Sequence, residues 1–328
     1  MASSTVIISI QYPTMKQNRI CFLDAETFGA DYSFSELNEL APLTIYSSTE
    51  PQEILERIKG FDIVITNKVI LDASVLTEAS ELKLICVAAT GTNNIDLKFA
   101  QSRGIQVCNA TGYSTHSVAQ HCMSLCLELI HKNRLRHDDC LLNWPKSKVF
   151  SMVGTNFDEL NSKRWGILGL GSIGKQVAKL ASAFGAEVVY HSVSGRSSHT
   201  DYQSVSFGEL LESSDVLSVH TSLREETFHL LSDREFDMLK SDVVFLNMAR
   251  GQICDPVALL NWLKSGRFLG VGLDVIDQEP PSQDHALLHL NDPKVIITPH
   301  MAWTSKQSRH RLVEQIINSI RSYQSNLE

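Results

Sequence analysis

The segment Trp165-Gly-Ile-Leu-Gly169-Leu-Gly171-Ser-Ile-Gly174-Lys-Gln-Val177 constrains this chain more than any other. It reads as a strand, a tight glycine turn and a helix. Residues 165–168 form the short apolar run that a buried parallel strand requires. Ile173, Val177, Leu180, Ala181 and Phe184 then recur at helical spacing. Gly169 permits the turn, Gly171 lets a pyrophosphate approach the backbone, and Gly174 lets the helix pack closely on the strand. The start of the helix offers free N–H groups and the positive end of the helix dipole to phosphates. Glycines also serve ordinary turns, so the spacing alone says little. Between this strand and this helix it points to a dinucleotide site. The turn opens in the middle of a chain of 328 residues, a length that suggests about two domains, so a different unit must occupy the first half.

Both halves alternate strand-like and helix-like runs. In the first, residues 6–10, 43–46, 63–66, 84–88 and 105–108 are β-rich, with helical stretches such as 51–58 and 73–79 between them. In the second, 165–168, 187–190, 216–220, 243–247, 270–274 and 295–298 predict the six strands of a complete dinucleotide-binding sheet. The expected fold is α/β: two Rossmann-like or flavodoxin-like domains with parallel sheets and a ligand cleft between them. A long helix is expected from about 117 to 132, with Val118, Cys122, Leu125, Cys126 and Leu129 as its apolar stripe. Residues 134–160, around Trp144-Pro145, read as an irregular arm that packs on a partner subunit. A last helix, 305–323, carries Leu312, Ile316, Ile317 and Ile320 on one stripe and is expected to return to the first domain. The expected division is 1–108 plus 304–328 for a substrate domain and 109–303 for a dinucleotide-binding domain.

A net charge of −8 disfavours nucleic-acid and acidic-membrane partners. No apolar run approaches the ~18 residues of a membrane-spanning helix. The first ten residues carry no basic stretch and read as a strand, not a signal peptide. The seven cysteines form no Cys-x-x-Cys pair, and several sit in apolar runs, which suits reduced thiols in a cytoplasmic protein. His116 and His121 lie five apart, off a common helix face, so no metal site is expected beside Cys122.

Three ionisable residues follow strands in the second half: Arg250 in Asn-Met-Ala-Arg-Gly, Glu279 in Asp274-Val-Ile-Asp-Gln-Glu-Pro-Pro, and His300 in Thr298-Pro-His-Met-Ala-Trp. The carboxyl ends of the strands form the ligand crevice of an open α/β sheet. Each residue alone has a plain alternative: a surface ion pair for Arg250, a solvated loop for Glu279, a helix cap for His300. Together they suit hydride transfer to a 2-oxo acid. Reduction of the carbonyl needs a proton at its oxygen, which an imidazole can deliver near neutral pH. A neighbouring carboxylate favours the imidazolium form. An arginine holds a substrate carboxylate by paired N–H bonds, and a nicotinamide cofactor supplies the hydride.

With these residues, the chain resembles the D-isomer-specific 2-hydroxyacid dehydrogenase family over essentially its whole length. The motifs are Ala89-Thr-Gly-Thr-Asn-Asn-Ile-Asp96, Gly112-Tyr-Ser-Thr-His-Ser-Val-Ala-Gln-His121, the glycine turn, Asn247-Met-Ala-Arg-Gly251, Gly272-Leu-Asp-Val-Ile-Asp-Gln-Glu-Pro280 and Thr298-Pro-His300. The resemblance implies that Arg250 binds the substrate carboxylate, that His300 is the acid/base and that Glu279 pairs with it. Backbone amides of Ala89, Thr90 and Gly91 would also hold the carboxylate. Thr90, Ser172, Ile173, Thr221, Met248, Asp274 and Trp303 fall at cofactor-contact positions, with Gly169, Gly171 and Gly174. Ile65-Thr-Asn-Lys-Val69, Gly112-Tyr-Ser-Thr115 and Pro299-His-Met-Ala-Trp303 are most similar to the glycerate dehydrogenase (hydroxypyruvate reductase) branch. That branch implies a small 2-oxo or 2-hydroxy acid as partner, with hydroxypyruvate and glyoxylate first, and a homodimer.

Two departures stand out. NAD-dependent members carry an acidic residue at the end of the second strand, where this chain has His191. Without it, the repulsion against a ribose 2′-phosphate disappears, and Ser192, Ser194 and Arg196 follow as a hydroxyl and guanidinium set. The cofactor is therefore expected to be NAD(P), with NADP(H) slightly favoured. The second departure is Ser222, where proline is usual. Glu279 argues against formate dehydrogenases, which use glutamine there. The tail of many phosphoglycerate dehydrogenases and the disordered extensions of corepressor relatives are not expected here. D-lactate-type dehydrogenases stay open as an alternative, and a nucleotide-sensing corepressor-like binding protein as a remote one.

Overall fold

The structure is a computed structural model that describes residues 18–154, 156–195 and 201–326. It divides into two compact units, one holding the described residues up to Thr111 with those from His310 onward, the other Gly112–Arg309.

The first unit is built on a five-stranded sheet of β1 (Ile20–Phe22), β2 (Leu43–Ile45), β3 (Ile63–Thr66), β4 (Leu84–Val87) and β5 (Gln106–Asn109). The order is β2-β1-β3-β4-β5 and all pairs are parallel. β1, β3 and β4 are buried throughout, as central strands of a sheet covered on both faces must be. The strand expected at 6–10 lies outside the described residues, and the first described strand, Ile20–Phe22, was not expected. Three residues are too few to show a period. The helix Lys306–Ser325 contributes its residues from His310 on to this unit. The Gln315 amide fastens it there, accepting from the Thr111 N–H and donating to the Thr111 carbonyl, each at 3.0 Å.

In the second unit, β6 (Arg164–Leu168), β7 (Glu187–His191), β8 (Gln203–Ser204), β9 (Val216–Val219), β10 (Val244–Asn247), β11 (Gly270–Leu273) and β12 (Val295–Ile297) form one sheet. Its order is β12-β11-β10-β9-β6-β7-β8, all parallel. The polar two-residue edge strand β8 adds a seventh to the six expected. The order reverses between β6 and β9, where such sheets bind ligands at their carboxyl ends. Two apolar clusters cover the two faces of the sheet.

The helix Thr115–His131 lies directly on β11. A Cβ on Gly270 would come within 2.8 Å of Leu129 Cβ, and one on Gly272 within 3.2 Å of Leu125 Cδ1. The arm expected to be irregular instead begins with the helix Asn133–Asn143, followed by a 3-10 turn at Trp144–Lys146. That helix buries no residue, so it has no apolar stripe for the sequence to display.

Candidate active site

The glycine turn does what its spacing suggests. Gly169 has φ +99°, and a Cβ there would sit 2.6 Å from the Thr221 backbone nitrogen. A Cβ on Gly174 would lie 2.3 Å from the Gly169 carbonyl oxygen, so only glycine lets the helix Ser172–Ala183 start here. At Gly171 an added Cβ would meet no protein atom within 4 Å. No packing inside the chain therefore demands a glycine at 171, and its bare backbone leaves room for a phosphate. Ser172 and Ile173 open the helix directly beyond it.

A cavity of about 360 Å³ lies over this turn, lined among others by Gly169, Gly171, Ser192, Ser194, His220 and Arg224. His220 closes β9, donating its N–H to the Leu168 carbonyl at 2.8 Å. Its two ring nitrogens are buried, and neither has a hydrogen-bond partner among the described residues. Burial pushes its pKa down to about 3, so the imidazole is neutral. One ring nitrogen still carries a hydrogen, and an unpaired buried donor costs about 1–3 kcal/mol. A group from outside the chain would remove that cost. The vacancy at Gly171 and the unpaired His220 ring both fit a dinucleotide.

The other expected cofactor residues are placed as follows. His191 ends β7, and its Nδ1 lies 3.0 Å from the Val205 carbonyl. A carbonyl only accepts, so Nδ1 donates. Thr221 touches the Gly169 turn, and Met248 follows β10, its N–H donating to the Val219 carbonyl at 3.3 Å. Trp303 stands edge-on to Tyr113 at 6.2 Å. Arg196 lies outside the described residues.

His300 and Glu279 meet: His300 Nδ1 donates to Glu279 Oε2 at 2.6 Å. The other oxygen, Oε1, accepts the Ile276 N–H at 3.0 Å and fixes the carboxylate. With Nδ1 so engaged, Nε2 is the ring atom left for proton exchange. The His300 backbone has φ +49°, a strained conformation for a residue other than glycine. Asp274 enforces it. This carboxylate, only 2% exposed, sits immediately after β11. Oδ1 accepts from Thr298 Oγ1 at 2.6 Å and from the Met301 N–H at 2.9 Å, and Oδ2 accepts from the Ala302 N–H at 3.0 Å. Its backbone carbonyl accepts the His300 N–H at 2.8 Å. Expected as a cofactor contact, Asp274 is occupied in holding the histidine's turn. His121, on the helix over β11, reaches Thr298 Oγ1 at 3.0 Å.

Arg250 lies on the neighbouring loop after β10. A Cβ on Gly251 would fall 1.9 Å from the Ile276 backbone, so glycine lets this loop press against the one that bears Glu279. Gln252 Nε2 ties the two, donating to the Asp277 carbonyl at 2.8 Å. Arg250 also acts electrostatically on Tyr113, whose burial pushes its hydroxyl up to about 12 while the guanidinium pulls it back. Ala89, Thr90 and Gly91 belong to the first unit, just past β4. None of their backbone N–H groups is hydrogen-bonded among the described residues.

Sequence reasoning missed His220, Arg224 and Tyr113. A histidine closing the strand beside the glycine-turn strand, and an arginine four residues on, were the available signals.

A profile described as "D-isomer specific 2-hydroxyacid dehydrogenase, NAD binding domain" matches residues 125–302. The chain is 33% identical to glycerate dehydrogenase of Methylorubrum extorquens, over 93% of this chain and 96% of that protein. It is 32% identical to hydroxypyruvate reductase of Blautia hydrogenotrophica, over 89% and 92%. Among solved structures, an acyclic imino acid reductase (Bsp5) in complex with NADPH and D-Arg superposes with TM-score 0.82 at 26% identity, covering 94% of this chain and 97% of that one. D-lactate dehydrogenase of Aquifex aeolicus, complexed with NAD and lactic acid, gives 0.80 at 27%, covering 94% and 96%. The glycine turn, the two parallel α/β units and these relatives together make the chain an enzyme of the D-isomer-specific 2-hydroxyacid dehydrogenase family.

Proposed function

We propose that the chain reduces a small 2-oxo acid, hydroxypyruvate first and glyoxylate second, to the D-2-hydroxy acid. The observation that carries this is the Glu279–His300 pair on a turn held by Asp274, one loop from Arg250. The second unit binds the dinucleotide and the first binds the substrate. Arg250 holds the substrate carboxylate through its guanidinium, with the free N–H groups of Ala89, Thr90 and Gly91 as further donors. When bound, the reduced nicotinamide supplies the hydride. His300 Nε2 gives its proton to the carbonyl oxygen, and the neutral ring then regains one from solvent. Glu279 stays ionised and stabilises the imidazolium before transfer.

Hydroxypyruvate is favoured because curated relatives covering most of the chain are a glycerate dehydrogenase and a hydroxypyruvate reductase. NADP(H) is favoured because His191 stands where a carboxylate would repel a 2′-phosphate, and a relative of known structure is an NADPH complex. A homodimer through the arm is supported by its exposed apolar side chains, Trp144, Val149, Val153 and Phe150, the last 91% exposed. The seven cysteines are all free, as suits a cytoplasmic location. None of the described helices is long and apolar enough to cross a membrane.

The test is kcat/KM for hydroxypyruvate, glyoxylate, pyruvate and phenylpyruvate with NADH and NADPH. Hydroxypyruvate with NADPH should lead. Leadership by pyruvate would favour the D-lactate reading, and no turnover with any 2-oxo acid would leave only a nucleotide-sensing binding role.

A further inference from the structure

We infer that Arg224, which lines one cavity with Ser192 and Ser194, forms with them the subsite for a 2′-phosphate on the adenosine ribose. The inference rests on the proposed NADP(H) reading and adds to it a residue from a different loop. Ser192 and Ser194 belong to the turn that leaves β7, closed by the Gly195 N–H donating to the Ser192 carbonyl at 3.1 Å. Arg224 comes from the segment after β9, on the other side of the β6 glycine turn, and lines the same cavity.

The position of Arg224 is fixed by a buried hydroxyl. Thr227 Oγ1 accepts the Arg224 N–H at 2.7 Å and donates to the Ser222 carbonyl at 2.8 Å. Thr227 itself is buried, so the 222–227 loop is closed on an interior anchor. Ser222, where the family usually has proline, takes part through its carbonyl. Among the described lining residues Arg224 is the one cation, since His220 is neutral and Glu226 is an acid. The guanidinium enters no ion pair among the described residues. Glu226 repels a phosphate, so among the described lining residues only Arg224 offers the phosphorylated ribose a charge of opposite sign. A guanidinium suits this task because it stays charged and meets two phosphate oxygens at once.

The test is the affinity of the purified enzyme for 2′,5′-ADP and for 5′-AMP, measured by calorimetry at fixed salt, in the wild type, Arg224→Leu and Arg196→Leu. The wild type should favour 2′,5′-ADP. Arg224→Leu should weaken 2′,5′-ADP by about tenfold to a hundredfold, the scale of a hydrogen-bonded charge, while 5′-AMP stays within about twofold and reports an intact fold. Arg224→Lys should recover part of the loss. An unchanged ratio in Arg224→Leu overturns the inference, most plainly if Arg196→Leu collapses the ratio instead. A wild type that binds 5′-AMP as tightly as 2′,5′-ADP sinks the NADP(H) reading itself, before any substitution is compared.

Discussion

Asp24 in the first unit and Asp274 in the second are the same device used for different ends. Each follows a strand, β1 or β11, and each reaches across to the segment after the adjacent parallel strand, β3 or β12. Asp24, 6% exposed, accepts the N–H groups of Asn67 at 2.8 Å, Lys68 at 2.6 Å and Val69 at 3.2 Å. Burial pushes its carboxyl up, and those donors oppose the shift. Asp274 does the same for Met301 and Ala302. The difference is in what is pinned. Residues 67–69 have no positive φ, whereas His300 is held at +49°. A non-glycine residue in that region costs on the order of 1 kcal/mol or more. The second carboxylate therefore supports strain at His300, the proposed acid/base, and the first closes a loop without it.

Substitutions can break this contrast. The largest effect belongs to the strained residue: His300→Ala should lower kcat by about a hundredfold to ten-thousandfold, with cofactor affinity unchanged in a fluorescence titration. An unchanged kcat would remove the histidine from the mechanism. Next come the two aspartates, changed alike. In Asp274→Asn the amide nitrogen faces a backbone N–H, the turn shifts, and kcat should fall by at least about tenfold, since small misplacements of a reacting group are costly. In Asp24→Asn the same conflict should appear as about 1–3 kcal/mol of lost stability in urea unfolding, with kcat of the folded enzyme nearly kept. Equal losses of kcat in both would erase the distinction. The last effect is seen only on acidification and concerns His220, which unlike either aspartate lacks an internal partner among the described residues. Its folded pKa is about 3 against an ordinary 6.5, so below pH 6.5 the unfolded chain binds a proton that the native one does not. Stability should then fall with pH down towards 3, by up to about 1.4 kcal/mol per unit, and His220→Asn should flatten that slope in melting temperature.

What the sequence displayed follows the same logic. Gly169 and Gly174 were legible because a side chain at either collides with backbone, so the residue type carries the geometry. The strands from β6 onward were legible because buried parallel strands are uninterrupted apolar runs. β8 and the helix Asn133–Asn143 were not, because neither buries an apolar face. Ile20–Phe22 was overlooked beside the longer apolar run at 6–10. Arg250, Glu279 and His300 were singled out by their motifs and their places after strands, and the structure joins Glu279 to His300. Asp274 was found as well, although its carboxylate turns out to be engaged with backbone donors that no sequence pattern lists. His220 and Arg224 were not singled out by such a motif, and the cavity brings both to the glycine turn.

The close seat of the helix Thr115–His131 on β11 has a consequence for inheritance. Gly270 and Gly272 lie in the interior, on the strand that leads to Asp274. The helix they admit carries His121, which bonds Thr298, which bonds Asp274. A single added methyl at Gly270 would lift that helix and propagate to the His300 turn. Mutational tolerance at these two buried glycines is thus governed by the geometry of the His300 turn as much as by packing, and they should vary as little as the histidine they never touch.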